Sequence, residues 1–209
     1  MEPLLDSFRA SVESLNVNSG CLGTNGIVGG LDSSDESEKI NVQRIVVGTW
    51  LLAKEGCTLI TQACLRSGRS EDFEEGGKTL IETITTLKHQ GAASAAMTAL
   101  QELCEGCYRD KKLRHLPSKW LDQLIEIISN PETGESTLRR SSGFGFGFLA
   151  ILKAEASKNE SALCERAMEC LVRMCLPPGK KLCRHLGAKR HYYRYTFLTR
   201  QFPSSRFAR

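Results

Sequence analysis

From Val42 to Cys64 the apolar residues recur on a helical period. Val42, Val46, Trp50, Ala53, Cys57, Ile60 and Cys64 are separated by four, four, three, four, three and four positions. A half-buried strand would alternate every second residue, whereas a helix that buries one face needs steps of three and four. The same period returns along the chain. Leu4, Leu5, Phe8, Val12 and Leu15 predict a short N-terminal helix over residues 3–15. Leu80, Ile81, Ile84 and Leu87 predict another helix, and Ala92, Ala95, Ala99, Leu103 and Cys107 the inward face of one running from about Gly91 to Tyr108. Trp120, Leu121, Leu124, Ile125 and Ile128 follow a proline, Pro117, that suits a first helical turn because its missing N–H has no partner there anyway. Two more helices are predicted from about Ser136 to Ala156 and from Ser161 to Cys175, the last stopped by Pro177-Pro178-Gly179. Strand patterns are almost absent. The expectation is an all-α chain of antiparallel helix pairs, an α-solenoid fragment of armadillo or HEAT type.

Breaks in the period divide this array. Residues 16–38 are rich in Gly, Asn and Ser and carry an acidic patch from Asp32 to Glu38, so a flexible loop is expected there. Residues 39–176 form the helical-repeat domain, and 177–209 a basic, aromatic tail expected to be poorly ordered. Within the domain, Gly56 is expected to divide the first long helix, and Ser67 to Gly77 to be a polar connector.

Charge is unevenly spread. Of 28 basic and 24 acidic residues, nine basic and no acidic ones lie from Lys180 onward, which leaves 19 against 24 before it. The body is therefore acidic, about −5, and the net +4 of the whole chain is no argument for nucleic-acid binding by the domain. No uncharged apolar run approaches the roughly 18 residues of a membrane span, and Glu2 and Asp6 stand where a signal peptide carries basic residues. The nine cysteines are odd in number and scattered, several on helix faces beside Leu and Ile. They are expected to be reduced, mostly buried thiols of a soluble, cytoplasmic protein.

Motifs that could carry chemistry have plainer readings. Gly143-Phe-Gly145-Phe-Gly147-Phe148 lacks the preceding strand and third glycine of a dinucleotide fingerprint and the Gly-Lys-Ser/Thr of a P-loop. Leu138, Ser141, Gly145, Phe148 and Leu152 continue a helical stripe, so small residues are expected to thin one face for a close neighbour. Cys104-Glu-Gly-Cys107 closes a helix without a second ligand pair at finger spacing, and structural cysteines are the expectation. His89, His115, His185 and His191 form no metal-ligand or triad pattern, and Glu74-Glu75 reads as solvated charge in a connector. No catalytic residue, metal or cofactor is expected. Arg139-Arg140 opposes the dipole of the helix it opens, which makes sense if the guanidinium groups hold a carboxylate or phosphate. The alternative is an internal salt bridge, to Glu126 or Glu102. The tail interleaves Lys and Arg with Tyr192, Tyr193, Tyr195 and Phe197, a composition that suits non-specific RNA binding or an end with no selected role, the second being preferred.

Gly91-Ala92, then Leu116-Pro117-Ser118-Lys119-Trp120-Leu121, then Thr137-Leu138-Arg139-Arg140-Ser141-Ser142-Gly143-Phe144 resemble the central domain of the thyroid adenoma-associated protein (THADA) family. Trp50 and Lys54-Glu55 in the stretch from Val42 to Leu65 resemble that domain's entry, so the likeness covers roughly residues 40–176. The tail resembles nothing in the family. Ser142 stands where the family usually has Ala, and Gly145 where it usually has Pro. The resemblance implies an armadillo-type solenoid that is no enzyme itself. Its partner would be a tRNA 2′-O-ribose methyltransferase acting on the anticodon loop, whose catalytic subunit holds S-adenosylmethionine, with tRNA bound directly or through that partner. By the same resemblance the motif for tRNA or partner binding maps onto Arg139, Arg140, Ser141 and Gly143. Family members are much longer, so a truncated member is the expectation. A generic α-solenoid interaction scaffold without an RNA role is the alternative.

Overall fold

A computed structural model of the chain describes residues 2–21, 36–86, 90–129 and 143–175. Among the described residues there are seven helices and no strand: α1 (Glu2–Cys21), α2 (Glu36–Ser67), α3 (Ser70–Thr86), α4 (Gln90–Cys107), α5 (Leu116–Ser129), α6 (Phe144–Ala156) and α7 (Ala162–Cys175). The described residues up to Cys170 form one compact unit, and the last turn of α7, from Leu171, falls outside it.

The helices lie in two rows, as in an α-solenoid. In the first row α4 is flanked by α2 and α6. Thr61 Oγ1 of α2 donates to the Ala99 carbonyl at 3.2 Å, and Leu65 packs beside Gly106, so α2 and α4 run the same way. At the other flank Gly143, at the start of α6, lies on Ala93 near the start of α4. Late in α6, Glu155 acts electrostatically on Tyr108, just past the end of α4, so α6 also runs with it. The second row, α3 and α5, runs back the other way. Phe73, early in α3, reaches Gly106, late in α4, and Trp120 of α5 lies on Gly77 of α3.

Small residues on α4 make this arrangement possible. Ala92, Ala93, Ala96, Ala99, Cys104, Gly106 and Cys107 are all buried, so neighbours approach its backbone closely on several sides. The fully buried large side chains Ile60, Leu80, Ile81, Ile84, Leu100, Leu103, Leu116, Trp120 and Leu121 fill the space between the rows. Each stabilises the fold by roughly 1.5–3 kcal/mol through removal of apolar surface from water.

Four expectations are corrected. Gly56 does not divide α2, which is continuous over Glu36–Ser67; the Phe8 ring of α1 lies where a Gly56 side chain would be. The connector expected over Ser67–Gly77 shrinks to Gly68-Arg69, with Gly68 at φ 65° closing α2. Gly76 and Gly77 are instead helical and buried, the first against Cys64 and the second under the Trp120 indole. Glu74 and Glu75 are accordingly not loose charge: Glu74 pairs with Lys119 of α5, and Glu75 accepts from Arg9 of α1 at 2.8 Å. Finally, the stripe through Gly145 is misplaced. Gly145 is exposed with open space around it, while Gly143 and Gly147 face the neighbouring helices.

Candidate functional site

The motif Arg139-Arg140-Ser141-Ser142-Gly143 enters the described structure at its last residue. Arg139, Arg140 and Ser141 lie outside the described residues, as do Glu38 to Asn41 in their side chains and the whole tail 176–209. Gly143 is buried at the N-terminus of α6, φ −93° and ψ −13°, and its carbonyl accepts from the Phe146 N–H at 2.8 Å. A methyl group on its Cα would overlap the backbone carbonyl oxygen of Ile84 and stand 3.0 Å from the Ala93 Cβ. Four residues on, Gly147 faces the Leu124 methyls, which a Cβ would meet at 3.1 and 3.2 Å. Glycine is therefore required at 143 by a close three-helix junction of α3, α4 and α6, and not by a left-handed backbone.

At its other end α6 is tied down by a residue the sequence reading missed. Glu155 is buried, and its two carboxylate oxygens accept from the backbone N–H groups of Leu163 (2.7 Å) and Cys164 (2.9 Å) in the first turn of α7. Those N–H groups have no partner within their own helix, and a carboxylate also complements the positive end of the helix dipole. The same charge, after burial, helps push the Tyr108 phenol to a higher pKa. Arg166 of α7 completes the junction, donating to the Ser118 carbonyl at 3.1 Å and pairing with Asp122 at 3.1 Å. The signal available in the sequence was a glutamate at an apolar helix position, seven residues before a helix start.

The remaining candidates resolve plainly. Cys104 and Cys107 are buried on α4. Burial pushes the thiols of Cys57, Cys64 and Cys107 up to about 12, and that of Cys104 well above its ordinary value. Thiols, not thiolates, are present at neutral pH, so these positions are poor nucleophiles and poor metal ligands. Among the described residues no group of His, Cys, Asp and Glu is placed to hold a metal ion. His115 is exposed, its Nδ1 3.0 Å from the Lys112 carbonyl, and the other three histidines lie outside the described residues. Among the described residues no helix is long and apolar enough to cross a membrane.

A family model described as THADA/TRM732, DUF2428 matches residues 5–193. No curated protein and no solved structure matches the chain. The family match extends beyond the 40–176 span of the resemblance at both ends, into α1 and into the first part of the basic tail. That corrects the expectation that the tail resembles nothing in the family.

Proposed function

From the premise that this chain belongs to the THADA/TRM732 family, we propose that it is the non-catalytic partner of a tRNA 2′-O-ribose methyltransferase and assists methylation of the anticodon loop. In this role Arg139 and Arg140 engage the tRNA or the methyltransferase, and S-adenosylmethionine stays with the partner. The observation that carries the reading is the family match over residues 5–193, which includes the whole arginine motif. The seat of Gly143 on Ile84 and Ala93 supports it, because a residue locked at a helix junction gives the preceding arginines a fixed point of attachment. A second reading, an interaction scaffold without an RNA role, is favoured by Val47, Leu51, Leu52 and Leu59, large apolar side chains of α2 that are about half exposed.

The test is co-expression with a candidate methyltransferase, pull-down, and an assay of anticodon-loop 2′-O-methylation, for the wild-type chain and the Arg139→Ala/Arg140→Ala variant. Loss of a charge-assisted contact of roughly 1.5–3 kcal/mol per arginine corresponds to at least tenfold less methylation. Full methylation by the double variant, with the complex intact, would remove Arg139 and Arg140 from the role, whereas no complex and no methylation with the wild-type chain select the scaffold reading.

A further inference from the structure

Between α4 and α5 the chain runs Arg109-Asp110-Lys111-Lys112-Leu113-Arg114-His115, four cations and one anion in seven residues. Every one of these residues except Leu113 is exposed, in a body whose overall charge is negative. Arg109, Lys111 and Lys112 form no ion pair with any described residue, and Arg114 makes only a 4.0 Å contact with Glu160. The loop is nonetheless held in place. Leu113 is 4% exposed and anchors its middle. The N–H of Arg109 donates to the Gly106 carbonyl (3.0 Å), that of Leu113 to the Asp110 carbonyl (3.1 Å), and that of Leu116 to the Leu113 carbonyl (3.0 Å). Asp110, the one acid, is engaged by the Lys112 backbone N–H at 2.9 Å. Through Glu160 the loop adjoins the turn between α6 and α7, where Lys158 is also exposed.

We propose that this loop is a contact surface for the phosphate backbone of RNA. Unneutralised cations on a preordered backbone are what a polyanion needs, since binding then releases counterions without ordering the protein. An acidic protein partner fits less well. Protein interfaces are centred on desolvated aromatic and apolar anchors and are poor in lysine, whereas Tyr108 and Leu113, the apolar residues at the loop, are both buried. That the RNA is tRNA rests on the function proposed above; the contact itself rests on the loop.

The experiment uses the full chain and an unmodified tRNA transcript. Lysine acetylation is followed by mass spectrometry with and without RNA, and binding is measured from 50 to 200 mM salt for wild type and Arg109→Ala/Lys111→Ala/Lys112→Ala. Arg44→Ala/Lys54→Ala/Lys78→Ala is the charge-matched control, and the basic tail is present throughout. Expected are protection of Lys111 and Lys112 but not of Lys54 and Lys78, and a salt slope shallower by about 2–3 in the loop variant alone. That slope change shrinks the affinity ratio between the two salt concentrations by roughly 16- to 64-fold. Unprotected Lys111 and Lys112 with RNA bound, equal slopes in the two variants, no RNA binding at all, or equal protection by polyglutamate would each overturn the proposal. Methylation sensitive to Arg139 and Arg140 despite any of these results would leave the function standing without the loop.

Discussion

Gly143 lies against the carbonyl oxygen of Ile84 so closely that no side chain fits between them. Because the obstacle is backbone, relief requires moving α3 or α6 as a whole. Gly143→Ala is expected to destabilise the fold by about 1–3 kcal/mol, the usual range for overpacking, despite the better helix propensity of alanine. Gly145→Ala, two residues on and in open space, should be neutral or stabilising by up to about 1 kcal/mol. Urea unfolding of the two variants checks the contrast, and equal stabilities would refute the junction.

Glu155 gives a second prediction. Glu155→Ala leaves the part-buried N–H groups of Leu163 and Cys164 without their acceptor, and a loss of about 1–2 kcal/mol is expected. Glu155→Gln keeps an acceptor oxygen and should lose less. Hydrogen exchange at the amides of 163 and 164 locates the effect: both should exchange faster in Glu155→Ala, with little change at Leu100 or Leu103.

The buried thiols set a limit at high pH. In the unfolded chain they ionise near 9, while in the fold those of Cys57, Cys64 and Cys107 are held to about 12. Between those values the unfolded state binds fewer protons than the folded state, so stability falls as pH rises. The slope is about 1.4 kcal/mol per pH unit for each thiol. The contribution is fully present below pH 9. Denaturation midpoints at pH 8, 9 and 10 measure it, and Cys57→Ala should flatten the decline by one thiol's share.

Attachment of α1 separates apolar from ionic contributions. Phe8 is buried against Gly56, whereas the Arg9 side chain is 37% exposed while reaching Glu75 (2.8 Å) and Thr79 (3.1 Å). Phe8→Ala is expected to remove about 3–5 kcal/mol and Arg9→Ala no more than about 1 kcal/mol, since water screens a half-exposed pair. Limited proteolysis within residues 2–21 should follow the first substitution and not the second.

Much of this architecture was legible in apolar spacing, because helices that bury one face must repeat every three to four residues. Ala53, Cys57, Ile60 and Cys64 on α2, and Trp120, Leu121 and Leu124 on α5, are buried as the period requires. What spacing could not disclose is which glycines are breaks and which are contacts. Gly56, Gly76 and Gly77 look like punctuation, yet each sits in a helix under a specific neighbour: Phe8, Cys64 and Trp120. That distinction depends on residues 12 to 48 positions away. Of the motif, only Gly143 has a described place, and its role is a matter of contact with Ile84 and Ala93 that no local pattern encodes. Glu155 and the loop from Arg109 to His115 escaped notice for a related reason. One is a charge explained by the helix that follows it, the other a charge cluster averaged away in a net acidic body.

The alanine-lined α4 has a consequence for distance. Gly143 stands at Ala93, near its first turn, and the basic loop departs just past Cys107, at its last. The interval from Ala93 to Cys107 is about 21 Å at the rise of an α-helix. A rod gripped on several sides cannot stretch or bend cheaply, so α4 acts as a ruler between the two positions. Any partner touching both must present matching features at that spacing. One lengthened by a turn of helix would keep each contact separately and lose the pair.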